Sequence, residues 1–361
     1  MTNIATLPAP RNAWYLGAWS NEVTEKPLAR TILDENVVLY RQPGSKAAVL
    51  EDRCSHRATP LSLGDVTDRG LQCGYHGLTF NSKGECVFIP GQESIPPQAC
   101  VRSYPVVERQ GFVWIWTGDP EQADANHPTL IDYPWNDDTE NWPTHYGYMH
   151  IKCNYMLLND NLMDLTHIPF IHRRTIGGGN QMGQVNAEMK TRKTPTGVHY
   201  IRWMDKIQPP PTYVKAAGFA ADAKVDRWQE FEYIAPITVL QWTGALESGR
   251  GARENREQDG GFQLRIYHGA TPETDSSCHY FFTCNNGCTT QSEADNDRLF
   301  REIRDTFLED LEFLENQQAC LEDDPTRALV DIKHDTARIH ARRTIDRMLA
   351  EEEGHLAVAA S

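Results

Sequence analysis

The first third of the chain alternates short apolar runs with turn-forming residues. The runs, located between about residue 30 and residue 118, are ARTIL, NVVLY, AAVLE, LTFNS, ECVFIP and GFVWIW. The turn signals between them include Pro43-Gly44, Lys83-Gly84 and Pro90-Gly91. Apolar runs of this length between Gly and Pro turns are typical of strands. The pattern therefore predicts a small all-β domain.

A polar segment with several acidic residues, GDPEQADANHPTL near 118–130, follows the last of these runs. Segments of this composition commonly join domains. The chain also has 361 residues, more than one average domain. We therefore predict two domains, 1–120 and 121–361.

The second part of the chain mixes strand-like and helix-like patterns. Its strand-like runs, within 195–290, are GVHYIRW, EFEYIAPITVLQW, FQLRIYH and CHYFFTC. Helical periodicity occurs within 150–175, where Pro169 is predicted to end a helix, and at 292–318. A charged amphipathic pattern near 334–352 predicts a further helix. The second domain is therefore predicted to contain both helices and strands.

Composition and charge narrow the classes of function. No stretch approaches the roughly 20 apolar residues of a membrane-spanning helix. A formal net charge of -15 argues against nucleic acid and anionic membranes as partners. The nine cysteines are an odd number, and the N-terminal residues show no signal-peptide pattern. We therefore expect reduced thiols and a cytoplasmic location.

Two short motifs in the β-rich part combine cysteine with histidine. They are CSHR, with Cys54 and His56, and CGYHG, with Cys73 and His76. Each supplies one thiolate and one imidazole from a tight turn. Two thiolates on one iron and two neutral imidazoles on the other suit a high-potential [2Fe–2S] cluster. The alternative is a zinc site, but zinc ligand pairs usually leave two to four residues between them.

A second group of candidate ligands lies in the segment NDNLMDLTHIPFIH, residues 159–172. His167 and His172 flank Pro169, so the second histidine can turn back toward the first. Two imidazoles and one carboxylate on one face of an iron leave the opposite face open for dioxygen and substrate. The alternative is a pair of ordinary buried histidines.

The carboxylate is predicted from the helix at 295–318. Its apolar stripe contains Leu299, Ile303, Phe307, Leu311 and Leu314. At about 100° per residue, Asp310 falls inside this stripe, whereas Asp305, Glu309 and Glu312 fall on the opposite, solvated face. A buried acid is unfavourable unless it is paired or bound to a metal. Asp310 is therefore the predicted third ligand.

Together these motifs resemble those of Rieske non-haem iron oxygenases. The resemblance also includes NAWYLGAWS at the start, PGQESIPP at 90–97, YPVVERQGFVWIWTGDP at 104–120 and the late helix. The chain is most similar to the monooxygenase group that includes vanillate O-demethylase, dicamba O-demethylase and toluenesulfonate methyl-monooxygenase. The resemblance implies an α+β protein. An N-terminal all-β Rieske [2Fe–2S] domain precedes a catalytic domain with an antiparallel sheet flanked by helices, in a helix-grip-like arrangement.

The resemblance also implies an activity and partners. The chain would be the terminal oxygenase component that uses O₂ and supplied electrons to O-demethylate or methyl-hydroxylate a small aromatic compound. The electrons would come from a separate NAD(P)H-dependent reductase with flavin and iron–sulfur groups, or from a ferredoxin. The chain itself has no GxGxxG motif.

Two further residues take roles from the resemblance. Asp164 would join the two metal centres, because it would accept a hydrogen bond from His76 of a neighbouring subunit and contact an iron-ligand histidine. That arrangement implies a homotrimer. Asn161 would lie near the iron or shape the pocket.

Three alternatives stay open at this point. A ring-hydroxylating dioxygenase would give a cis-diol, an electron-transfer protein would carry the cluster without catalysis, and a zinc-binding module would be colourless. The substrate cannot be named from the sequence. Candidate pocket residues are Trp203, Met204, Trp242, Leu246 and Phe281.

Overall fold

The computed structural model describes residues 6–177, 184–220, 222–258, 260–288 and 291–359. These residues form two compact units. The smaller unit consists of Ala9–Asp132 and Thr271–Thr274, and the larger unit consists of Met1–Pro8, Tyr133–Ala270 and Asp275–Ser361. The domain limits 1–120 and 121–361 stay predictions.

The smaller unit is built from ten strands in its described residues. They are β1 (Trp14–Trp19), β2 (Leu28–Ile32), β3 (Glu35–Tyr40), β4 (Ala48–Glu51), β5 (Asp65–Thr67), β6 (Gly70–Gln72), β7 (Thr79–Phe80), β8 (Cys86–Phe88), β9 (Val106–Arg109) and β10 (Phe112–Trp116). They form three sheets with the orders β1-β10-β9, β2-β3-β4 and β5-β6-β7-β8. The prediction of an all-β N-terminal domain is confirmed.

Tight turns and apolar strands explain this architecture. Leu33 and Asp34, which join β2 to β3, both have positive φ (52° and 63°), as a two-residue hairpin turn requires. Strands β1 and β10 are buried along their whole length, and Trp14 packs edge-on against Trp116 at 5.4 Å. The turns therefore set the strand pairing, and aromatic side chains fill the core.

The larger unit contains one seven-stranded antiparallel sheet. Its strands are β11 (Thr144–Ile151), β12 (Glu188–Lys193), β13 (Gly197–Ile207), β14 (Val225–Ile234), β15 (Thr238–Glu247), β16 (Phe262–Thr274) and β17 (Ser277–Asn286). The order is β11-β17-β16-β15-β14-β13-β12. The predicted run EFEYIAPITVLQW spans two strands, because the chain reverses at Ala235-Pro236, where proline has no N–H to give to the ladder.

Helices accompany this sheet. Those whose bounds the structure gives are α1 (Tyr155–Met163), α2 (Ile168–Ile171), α3 (Pro211–Ala217), α4 (Glu293–Asp323) and α5 (Thr336–Ala359). Helix α4 starts at the predicted position, where the Ser292 side chain accepts a hydrogen bond from the Asp295 N–H, and continues past the predicted end. The predicted α+β class of this domain is confirmed. Within the described part of the chain, no helix has the length and apolar character needed to cross a bilayer.

Candidate metal centres and the adjoining cavity

Two loops of the smaller unit carry the cysteine–histidine motifs, and they share one backbone pattern. The Cys54 N–H donates to the Thr59 carbonyl and the Cys73 N–H donates to the Leu78 carbonyl, both at 2.8 Å. Each cysteine is thus held in a closed turn of the same length. The loops differ in sequence but present their ligands in the same way.

The four candidate cluster ligands differ in exposure. Cys54 and Cys73 are both buried, each 2% exposed. His56 and His76 are exposed, with ring centroids 4.6 Å apart. Burial, together with the adjacent Cys73 thiol, raises the pKa of the Cys54 thiol, so a bound cation is needed to keep it as thiolate. Buried sulfurs beneath exposed imidazoles fit a [2Fe–2S] cluster whose imidazole-ligated iron lies at the surface.

Glycine is required at two positions of the second loop, for two different structural reasons. Gly77 has a φ of +76°, which favours glycine. Gly74 lies so close to the loop before β5 that a Cβ would meet the Leu63 carbonyl oxygen at 2.6 Å. Gly74 therefore permits close packing of two backbone segments, in addition to any approach to inorganic sulfide.

The second candidate centre lies in the larger unit. His167, His172 and Asp310 place one ligand atom each within 4.8 Å of one another, and they are the one such group of three or more found in the described residues. The predicted triad is therefore brought together and could hold one metal ion.

Hydrogen bonds orient both imidazoles toward Asp310. The Nδ1–H of His167 donates to the main-chain carbonyl of Asp164 at 2.7 Å, and the Nδ1–H of His172 donates to the Glu309 carboxylate at 2.7 Å. The Nε2 atoms of His167 and His172 then lie 3.7 and 3.3 Å from the Asp310 carboxylate oxygens. Outer partners of this kind fix the tautomer of metal-ligating histidines.

The electrostatics of the triad favour a cation. Burial lowers the pKa of His167. For His172, burial also opposes the charged form, but the Asp310 and Glu309 carboxylates outweigh it and raise its pKa. A metal ion would take the place of that proton between Nε2 and the carboxylate. The donor set of two imidazoles and one carboxylate fits a mononuclear iron.

The local backbone differs from the prediction at Pro169. Helix α1 ends at Met163, and Asp164 caps the next turn with its carboxylate, which accepts from the Thr166 N–H and hydroxyl at 2.9 and 2.7 Å. Pro169 lies in the first turn of α2, where its missing N–H is tolerated, so it does not end a helix. The hydrogen bond between Asp164 and His167 is made by the Asp164 main-chain carbonyl.

Asp310 lies on the buried face of α4, as helical periodicity predicts. It is 7% exposed, and Asn161 of α1 donates a hydrogen bond from Nδ2 to its Oδ1 at 3.1 Å. Asp305 and Glu312 are exposed. The prediction that Glu309 lies on the solvated face is wrong, because its carboxylate holds His172.

A cavity adjoins this triad, with about 680 Å³ of space free of protein atoms, part of it open to solvent. Apolar side chains such as Leu158, Phe231, Phe262 and Phe307 form most of its wall. One buried cation, Arg227, also lines it.

Models of two protein families match the chain. The Rieske [2Fe–2S] domain matches residues 13–105, and the vanillate O-demethylase oxygenase C-terminal domain matches residues 151–351, more than half of the chain. The chain belongs to the Rieske non-haem iron oxygenases. It is an oxygenase component, with a [2Fe–2S] cluster and a mononuclear iron as its cofactors.

Relatives of this oxygenase extend over nearly its whole length. A toluene-4-sulfonate monooxygenase system iron–sulfur subunit of Comamonas testosteroni is 38% identical, covering 95% of this chain and 98% of that protein. A vanillate O-demethylase oxygenase subunit of a Pseudomonas strain is also 38% identical, covering 95% and 96%. A crystal structure of dicamba monooxygenase bound to dicamba superimposes with a TM-score of 0.84 at 32% identity, covering 95% and 98%.

Sequence reasoning missed part of the candidate site. The five pocket candidates Trp203, Met204, Trp242, Leu246 and Phe281 are not among the residues that line this cavity in the described structure. Trp203 and Leu246 belong instead to a separate apolar cluster. No local sequence motif marks Glu309 or Arg227. Their positions beside the triad and the cavity become visible only in the folded structure.

Proposed function

We propose that this oxygenase hydroxylates a methyl or methoxy carbon of a small aromatic compound. The observation that carries the proposal is the His167–His172–Asp310 triad in the wall of a mostly apolar cavity. Its relatives are named demethylase and monooxygenase subunits, which supports the choice of a carbon outside the ring.

The proposed ligands divide between the two centres. Cys54, His56, Cys73 and His76 would hold the [2Fe–2S] cluster, and His167, His172 and Asp310 would hold the mononuclear iron. When bound, these groups supply electron delivery and dioxygen reduction next to the substrate carbon. The net reaction consumes O₂, two electrons and two protons, and yields one hydroxylated carbon and one water.

The residues around the triad position the reacting parts. The apolar wall would hold the ring and exclude water, so that one exocyclic carbon faces the open side of the iron ligands. Asn161 would keep the Asp310 carboxylate in place through the hydrogen bond from its Nδ2. Asp164 would couple the two centres by accepting a hydrogen bond from a cluster histidine of a neighbouring subunit.

Three further features belong to the same proposal. The electrons would come from a separate NAD(P)H-dependent reductase or a ferredoxin, and the chain would assemble as a homotrimer in which Asp164 meets His76 of the next subunit. A cytoplasmic location would suit the nine cysteines, of which none is paired in a disulfide and two, Cys54 and Cys73, would ligate the cluster.

The test is a screen of aromatic acids, ethers and neutral analogues for substrate-dependent NADH oxidation with a surrogate reductase. A product formed under ¹⁸O₂ should carry one labelled oxygen on an exocyclic carbon. From a methoxy group, the resulting hemiacetal releases formaldehyde and the phenol in equal amounts. A cis-diol with two labelled oxygens on adjacent ring carbons would replace this proposal with ring dihydroxylation.

A further inference from the structure

One arginine in the cavity wall has a buried nitrogen with no acceptor among the described residues. Arg227 lies on β14 and is 0% exposed. Its Nε donates to the Tyr213 hydroxyl at 3.1 Å and its Nη1 donates to the Ile176 carbonyl at 3.0 Å. Both acceptors are neutral. Its Nη2 is buried and has no hydrogen-bond partner.

This arrangement is unfavourable as it stands. A buried charge is unfavourable unless it is paired or fully hydrogen-bonded, and an unsatisfied buried donor loses its hydration without replacement. No ion pair to Arg227 is found among the described residues. Within the part of the cavity wall that the structure describes, Asp310 is the one acid, and it is a proposed iron ligand. The described residues therefore supply no partner for this nitrogen, and an anion bound in the cavity would supply one.

Another buried arginine of the same sheet shows the contrast. Arg202 is 3% exposed, but its Nη1 donates to Leu165 O and Gln229 Oε1, and its Nη2 donates to Gln184 O. Burial lowers the pKa of Arg202 to about 10. Arg202 is not among the residues that line the cavity, and both of its Nη atoms have acceptors. It serves to hold main-chain segments together.

The guanidinium of Arg227 is also held in place. The Tyr213 ring lies under it, 4.7 Å from the guanidinium carbon to the ring centroid, and Tyr213 itself stacks on Phe262. A planar guanidinium with fixed orientation is suited to binding a carboxylate or sulfonate through parallel N–H···O bonds.

We propose that Arg227 is the specificity residue that selects substrates bearing a carboxylate or sulfonate on the aromatic ring. The proposal rests on the function proposed above, because it takes the cavity to be the substrate site. The anion would accept a hydrogen bond from Nη2 and neutralise the buried charge. The anchored end of the ring would then fix which exocyclic carbon faces the iron ligands.

The experiment measures binding, not turnover. Calorimetry would compare 4-methoxybenzoate with its neutral amide, 4-methoxybenzamide, in the cluster- and iron-loaded wild type, in Arg227→Gln and in Arg227→Lys. The wild type should bind the acid at least about 10-fold more tightly than the amide. Arg227→Gln should lose that preference, with acid affinity reduced about 10- to 100-fold and amide affinity unchanged. Arg227→Lys should keep part of the preference for the acid over the amide.

Controls separate this proposal from the one it rests on. Arg343→Gln, at an exposed position of α5, should retain the full preference. Cluster absorption and iron content should be equal in all variants. Equal wild-type affinity for acid and amide would overturn the role of Arg227 without any variant, as would an unchanged preference in Arg227→Gln. Because no turnover is measured, a different reaction outcome would leave this result intact.

Discussion

Replacing Glu309 tests whether one hydrogen bond outside the ligand set controls iron affinity. Glu309 accepts from His172 Nδ1 at 2.7 Å, and His172 is almost fully buried. Glu309→Gln keeps a similar shape and an acceptor oxygen but removes the negative charge. The imidazole is then held less firmly and is less basic toward a metal at Nε2.

The structure sets the expected magnitude. Loss of such outer partners typically weakens metal binding about 10- to 100-fold. The Glu309 side chain is 34% exposed, so water partly screens its charge. We therefore expect the lower end, about 10-fold, which corresponds to about 1.4 kcal/mol of binding free energy. Glu309→Ala also removes the acceptor, so this variant should bind Fe(II) more weakly than Glu309→Gln.

The assay is anaerobic equilibrium dialysis of Fe(II) against protein that retains its cluster but has lost the mononuclear iron. Glu312→Gln is the matched control, because Glu312 lies on the exposed side of the same helix. It should bind Fe(II) like the wild type. Wild-type affinity in both Glu309→Gln and Glu309→Ala would refute the role assigned to this hydrogen bond.

The remaining predictions concern the triad, the electron path and the helix packing. Asp310→Ala should lose the mononuclear iron yet keep the visible absorption of the cluster, and full iron occupancy by metal analysis would contradict its role as ligand. Asp164→Asn should keep both metals but nearly stop turnover. If stopped flow shows rapid reoxidation of the reduced cluster in this variant with substrate and O₂, Asp164 is not part of the electron path. Arg342→Met should lower the free energy of unfolding by about 3 kcal/mol, because it leaves the mostly buried Asp160 without its partner. Thermal denaturation beside Arg343→Met, which should be near neutral, checks this.

The cysteine–histidine motifs could be recognised in the sequence because their candidate ligands are local. Cys54 and His56 lie in one turn, as do Cys73 and His76, so chain spacing alone limits their geometry. Asp310 was predictable for a related reason, since helical periodicity fixes the side of the helix on which a residue lies.

Periodicity does not identify what packs against a helix. Glu309 lies about 100° around the helix from Asp310, yet its long side chain reaches His172 from the flank of the stripe. Arg227 stands in a strand where a charged residue suggests a solvated position, but this part of the sheet is covered, and β14 is buried at Arg227, Trp228 and Gln229. Contacts distant in sequence decide both cases.

Strands without alternation were also hard to recognise. The segment WYLGAW is buried at every position of β1, so it lacks the apolar–polar alternation of a half-exposed strand. The reversal at Ala235-Pro236 interrupts a run whose composition is strand-like on both sides. In each case the tertiary fold, and not local composition, determines where the element begins and ends.

The triad joins parts of the chain that are far apart in sequence. His167 and His172 follow α1, whereas Asp310 lies near the middle of α4. An ion held by all three acts as a removable cross-link, and by mass action it stabilises the native state by about 2.7 kcal/mol at a free concentration 100 times its Kd. The same ion that serves the reaction thus restrains local opening between α1 and α4. Cells short of iron should therefore degrade this protein faster than cells with ample iron.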